Sequence, residues 1–124
     1  MALILLVDDS HLGRTLARLT LTRAGHRVIE ARDGREGLDL GAAHGPDLIV
    51  AAASMPALDG VSMVSILRQR GLNAPVVLVG SGPGWLGQSE GAEVDAVAIP
   101  RSVEPHRLTT AVQAALSGRV ARAA

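Results

Sequence analysis

Leu3-Ile4-Leu5-Leu6-Val7-Asp8-Asp9-Ser10 decides the architecture. Five consecutive apolar residues with no polar alternation mark a strand buried on both faces, as in a parallel sheet covered by helices on each side. Two acids end the run. Ser10 can cap a helix carrying Leu12, Leu16 and Leu19, which Gly25 ends.

The same alternation continues outward. Arg27-Val28-Ile29-Glu30-Ala31 reads as a second strand, Asp33-Gly34 as a turn, and Glu36 to Ala43 as a second helix broken by Gly45-Pro46. Leu48-Ile49-Val50-Ala51-Ala52 is a third strand, and a helix from Val61 to Arg70 follows, with Val61, Val64 and Leu67 on one face. Pro75 opens a fourth strand, Val76-Val77-Leu78-Val79, and Asp95-Ala96-Val97-Ala98-Ile99 is a fifth, stopped by Pro100. A last helix spans Glu104 to Ser117, with Leu108, Val112 and Leu116 inward. This order predicts one α/β domain over residues 1–119 with a parallel sheet, and a frayed C-terminal tail over 120–124. One connection breaks the rhythm. Gly80-Ser81-Gly82-Pro83-Gly84 opposes helix formation, so the helix between strands four and five is expected to be shortened or missing.

Composition excludes several functions. The 124 residues suit one domain, and 48% hydrophobic against 19% charged residues describes a globular chain. Twelve basic residues balance twelve acidic ones, which argues against nucleic-acid binding. There is no Lys, so lysine Schiff bases and Walker lysines are excluded, and no Cys, which excludes disulfides and thiolate chemistry. Trp85 is the only aromatic, too few for a base-stacking platform. No apolar run approaches a membrane span, and Met1 to Val7 leads straight into Asp8 unlike a signal peptide, so the expected location is cytoplasmic. His11, His26, His44 and His106 have no metal-ligand spacing.

In an open parallel sheet, ligands collect at the carboxyl ends of the strands. After the first strand come Asp8 and Asp9, which can hold a hard cation such as Mg²⁺ given further oxygen ligands, or can serve as acids near a helix N-terminus. No G-x-G-x-x-G follows, so this is no dinucleotide site.

Leu5-Leu6-Val7-Asp8-Asp9-Ser10 resembles the opening of response-regulator receiver domains, the CheY-like fold. Gly34-Arg35-Glu36-Gly37-Leu38, Pro46-Asp47-Leu48-Ile49-Val50 and Met55-Pro56-Ala57-Leu58-Asp59-Gly60 are similar to that family's second turn, third strand and following loop, and Gly91-Ala92 and Pro100 also fit. The resemblance covers essentially the whole chain. It implies a doubly wound, flavodoxin-like sheet of five parallel strands in the order 2-1-3-4-5.

The active centre departs from the family pattern. The phosphate-accepting aspartate of receivers falls on Ala52, the hydroxyl residue ending strand four on Gly80, the lysine before the strand-five proline on Ile99, and the aromatic switch residue on Ala96. Phosphoryl transfer needs a nucleophile, a cation and donors for the phosphoryl oxygens, and these substitutions remove them. Asp47 cannot replace the nucleophile: five residues of strand place it roughly 16 Å away. Ser81 is one residue off register, and Asp59 suits a helix cap.

The implied function is an atypical receiver-like signalling module acting by phosphorylation-independent protein–protein interaction. An alternative is a pseudo-receiver sensing a small molecule or anion at the vacated pocket. A residual phosphoryl-transfer enzyme is the weakest reading, and no enzymatic activity is expected. Receivers present their last two helices and fifth strand to partners, which makes Trp85, Leu86, Ala96 and Pro100 the candidate partner contacts. Expected partners are signalling proteins or a second copy in a homodimer, with no nucleic acid and no membrane. No cofactor is expected beyond a weak, vestigial Mg²⁺ site at Asp8 and Asp9.

Overall fold

Five strands, β1 (Leu3–Val7), β2 (Arg27–Ala31), β3 (Leu48–Ala52), β4 (Val76–Val79) and β5 (Ala96–Ile99), pair in parallel in the order β2-β1-β3-β4-β5. The structure, a computed structural model, describes residues 1–80, 95–101 and 103–123. Numbered among those residues, the helices are α1 (His11–Arg23), α2 (Gly34–His44), α3 (Gly60–Gln69) and α4 (Pro105–Ala123). The expected shortening or loss of a helix between the fourth and fifth strands falls on 81–94, outside the described residues.

The apolar runs do what their patterns demand. All five residues of β3 and all four of β4 are buried, because each strand is paired on both sides and covered on both faces. Alternate side chains feed two cores. Leu5, Val7, Ile49 and Leu78 pack with Met63, Val64 and Leu67 of α3. Ile4, Leu6, Val50 and Val77 pack with Leu21 of α1 and with Leu108 and Val112 of α4.

Side-chain caps set where the helices begin. The Ser10 hydroxyl accepts the Gly13 N–H at 3.1 Å, and Asp59 accepts the Ser62 N–H at 2.7 Å, as expected of a cap. Asp33-Gly34, read as a turn, is instead the start of α2. Asp33 accepts the Glu36 N–H at 2.8 Å, while the Glu36 carboxylate reaches back to the Arg32 N–H at 2.8 Å. β5 starts at Ala96, since Asp95 has a left-handed backbone with φ 54° and stands outside the ladder. α4 starts on Pro105 and continues past Ser117 to Ala123, through most of the stretch expected as a tail.

The apolar stripe of α1 is not its buried face. Leu12, Leu16 and Leu19 are 68%, 55% and 37% exposed, and Leu21 is the side chain sunk into the core. Two apolar stripes compete on this helix, and the sheet takes the one that carries Ala17 and Leu21.

Candidate functional site

Register aligns the carboxyl ends of four strands. Val7 stands beside Ala51, Ala52 beside Val79, and Val79 beside Ile99. Side chains two apart in a strand share a face, so Leu6 and Val50 point to the α1 and α4 side, while Ala52 at the strand end packs in the α3-side core and also reaches this edge. A cavity of about 410 Å³ opens there, lined by Leu6, Asp8, Gly13, Leu16, Ala52, Val79, Arg101 and Leu108 among others.

Asp8 is the buried acid of this edge, 5% exposed. Its Oδ1 accepts the Ser10 N–H at 2.9 Å, and its Oδ2 accepts from Arg101 Nη1 at 3.2 Å. Its backbone carbonyl accepts from Arg14 Nη1 at 2.8 Å, and Arg14 Nε in turn pairs with Glu30 at 3.3 Å. Buried charge is tolerable only when paired and hydrogen-bonded, and here both carboxylate oxygens have donors. The same Arg101 donates Nε–H to the Gly80 carbonyl at 3.1 Å. One guanidinium thus joins the end of β1 to the end of β4. A Cβ at position 13 would stand 2.9 Å from Arg101 Nη1 and 3.0 Å from Asp8 Oδ2, so the glycine leaves room for the pair.

The remaining sequence-derived candidates separate. Ala52 lies on the cavity wall, 1% exposed, and offers only a methyl group. Ile99 is buried in the core beside Val79, and its carbonyl accepts the Gly80 N–H at 2.7 Å. Asp9 is exposed and does not line the cavity. Ala96 is half-buried against the α3-side core, and Pro100 is half-buried after β5. Trp85 and Leu86 lie outside the described residues. Asp47 is at the opposite end of the sheet, where its carboxylate accepts the Leu3 N–H at 2.8 Å.

Arg101 is the site residue that the sequence reading missed. The lysine position, Ile99, drew attention to the residue before Pro100, whereas the charge at the strand edge comes from the residue after it. The usable signal was position alone: Arg101 follows the carboxyl end of a strand, where polar function gathers.

Receiver domains bind Mg²⁺ at this edge, so the donor set is a test of fit. Mg²⁺ demands near-octahedral oxygen ligands and is usually held by carboxylates plus waters. Here both oxygens of Asp8 already accept hydrogen bonds, one of them from a cation, and Ala52 contributes no oxygen from its side chain. Among the described residues, no three His, Asp or Glu side chains gather as a metal-holding group. With one buried carboxylate that is already paired, the described residues offer the ion at most a weak site.

Comparison with known proteins agrees with this architecture. The family model of the response regulator receiver domain matches residues 4–113. The alkaline phosphatase synthesis transcriptional regulatory protein PhoP of Bacillus subtilis is 41% identical over 76 residues, which make up 61% of this chain and 32% of that protein. The response regulator MprA of Mycolicibacterium vanbaalenii is 41% identical over 76 residues, 61% of this chain and 33% of that protein. The matches thus span about a third of the length of these relatives. Among solved structures, the chemotaxis protein CheY4 of Vibrio cholerae superimposes with a TM-score of 0.85 at 29% identity, over 94% of this chain and 99% of that one. A Francisella response regulator receiver domain, at 24% identity, shares the fold with a TM-score of 0.85 over 96% of this chain and 99% of its own. With a family match over most of its length and the 2-1-3-4-5 sheet of the CheY-like fold, the chain belongs to the response regulator receiver domains, the signalling modules of two-component systems.

Proposed function

We propose that this receiver domain has lost the phosphorylation chemistry of its family and signals by contact with other proteins. The observation that carries this reading is Ala52. It ends β3 on the wall of the cavity that holds Asp8, at the position the family gives its phosphoacceptor, and it has no nucleophile. Gly80 and Ile99 support it, because one has no hydroxyl and the other is an apolar core residue. Without a nucleophile the domain is not an enzyme and does not accept a phosphoryl group. It works in the cytoplasm; among the described residues no helix is long and apolar enough to cross a membrane. Its partners are signalling proteins or a second copy of itself. The contact surface takes in Trp85, Leu86, Ala96 and Pro100, within a domain of residues 1–119. Intact-mass spectrometry after incubation with acetyl phosphate and Mg²⁺ tests the reading. An unmodified mass is expected, and a phosphoryl adduct on an aspartate overturns it.

A second reading has its own support. The cavity is walled mainly by Leu, Val and Ala side chains, with Asp8, Ser10 and Arg101 at one end and Arg23 among its lining. About 410 Å³ lies within the range of small-molecule sites. A mostly apolar ligand with one charged group suits it better than a bare anion. A ligand screen read by melting temperature separates this reading from the first.

A further inference from the structure

We propose that the Arg101 guanidinium is the resident cation of this pocket, filling from within the chain the place that a divalent metal ion takes beside the acids of other receiver domains. Three observations converge. Asp8 is buried, and its Oδ2 faces Arg101 Nη1 at 3.2 Å. The arginine is held at a second point, where Nε donates to the Gly80 carbonyl at 3.1 Å, so its planar fork is set in place. Position 13 is a glycine in a spot where a side chain would crowd both partners.

Charge count explains why an arginine suffices. A divalent ion is balanced by several carboxylates, and ligand charge helps set its affinity. With Ala52 in β3, Asp8 is the one buried acid among the described residues, while Asp9 is exposed to water. One negative charge needs one positive charge, and Arg101 supplies it. A metal ion arriving at Asp8 would meet a like charge about 3 Å from its ligand oxygen, so it must first displace the arginine. The charge of Asp8 is therefore met from within the chain until a metal is concentrated enough to displace the arginine. A merely decorative ion pair is the competing account, since exposed pairs contribute little. Here the Asp8 side chain is 7% exposed and the Arg101 side chain 28%, which is a half-buried pair with two anchors.

Mn²⁺ serves as the probe, its binding measured by calorimetry and by paramagnetic broadening of amide resonances. The wild type is expected to bind it weakly at Asp8. Arg101→Gln should bind at least about tenfold more tightly, because the seat beside a buried carboxylate is vacated. Adding Asp8→Asn to that variant should abolish the gain. A folded Arg101→Gln variant with no gain overturns the proposal, and so does a wild type that binds as tightly as the variant. Should Arg101→Gln not fold, the wild type decides alone: the Gly13 and Ala53 amides broaden only as Mn²⁺ reaches millimolar concentrations if Arg101 fills the seat, and saturation of that broadening at micromolar Mn²⁺ overturns it. This outcome is separate from the phosphorylation reading, which fails by a phosphoryl adduct and not by metal binding.

Discussion

Gly60 stands against the carbonyl oxygen of Ala52, so close that a Cβ at position 60 would collide with it. The Gly60 N–H donates to the neighbouring Ala53 carbonyl at 3.1 Å, and the Ala53 N–H donates to Val79 at 2.8 Å. The start of α3 is thereby pressed onto the end of β3, and the strand end beside the cavity is fixed from behind. The obstacle is backbone and cannot swing aside. Gly60→Ala is expected to cost about 2 kcal/mol or more, read by chemical denaturation. A change below about 0.5 kcal/mol would show that the 53–59 loop yields.

Restoring the missing acid should not restore the chemistry. Ala52→Asp places a second carboxylate on the cavity wall with Asp8, whose paired cation is Arg101. The variant is expected to lose about 1–3 kcal/mol of stability. With acetyl phosphate and Mg²⁺ it should label slowly at best, because Gly80 and Ile99 still offer no hydroxyl and no cation. Rapid, complete labelling by intact mass would mean that other groups compensate.

The two acids of the opening motif should behave differently when neutralised. From sequence they are like charges packed together, and removing either is expected to be neutral or stabilising. The structure changes this for Asp8, which accepts from Arg101 and from the Ser10 N–H. Asp8→Asn is expected to cost about 1–2 kcal/mol, the worth of a charge-assisted bond in a half-buried setting. Asp9→Asn, at an exposed side chain, should stay within about 0.5 kcal/mol. Melting curves of the two variants side by side check this, and equal losses would count against the Arg101 pairing.

Helix α1 offers a contrast between its two apolar stripes. Leu21→Ala, at a fully buried side chain, is expected to cost about 2–5 kcal/mol. Leu16→Ser, at a side chain 55% exposed, should leave stability within about 0.5 kcal/mol. A large loss at Leu16 in denaturant titrations would show that this stripe is covered in solution.

The strands were legible because burial on both faces writes an unbroken apolar run, as in Leu48-Ile49-Val50-Ala51-Ala52. The absence of a carboxylate at the end of β3 was legible for the same reason, since Ala52 has a fixed place in that run. Helix α1 was less so. Apolar residues at two sets of helical spacings do not say which set meets the sheet, and that is settled by tertiary packing. Asp33-Gly34 reads equally as a turn and as a cap until Glu36 is seen reaching back to Arg32. Arg101 was illegible for a different reason. It lies 93 positions from Asp8, and β3 and β4 lie between β1 and β5 in the sheet. No local pattern marks a long side chain that will cross a strand edge to an acid at the other end of the chain.

The pairing of β3 on both sides, with all five side chains buried, has a consequence for deuterium exchange. Amides in such a strand exchange only when the whole sheet opens, so the slowest amides of Ile49, Val50 and Ala51 report the free energy of global unfolding. The Gly80 amide, which bonds the Ile99 carbonyl at the edge where Arg101 is anchored, reports a smaller opening. The ratio of the two rates is an internal clock for how often the rim of the pocket breathes while the fold beneath it stays closed.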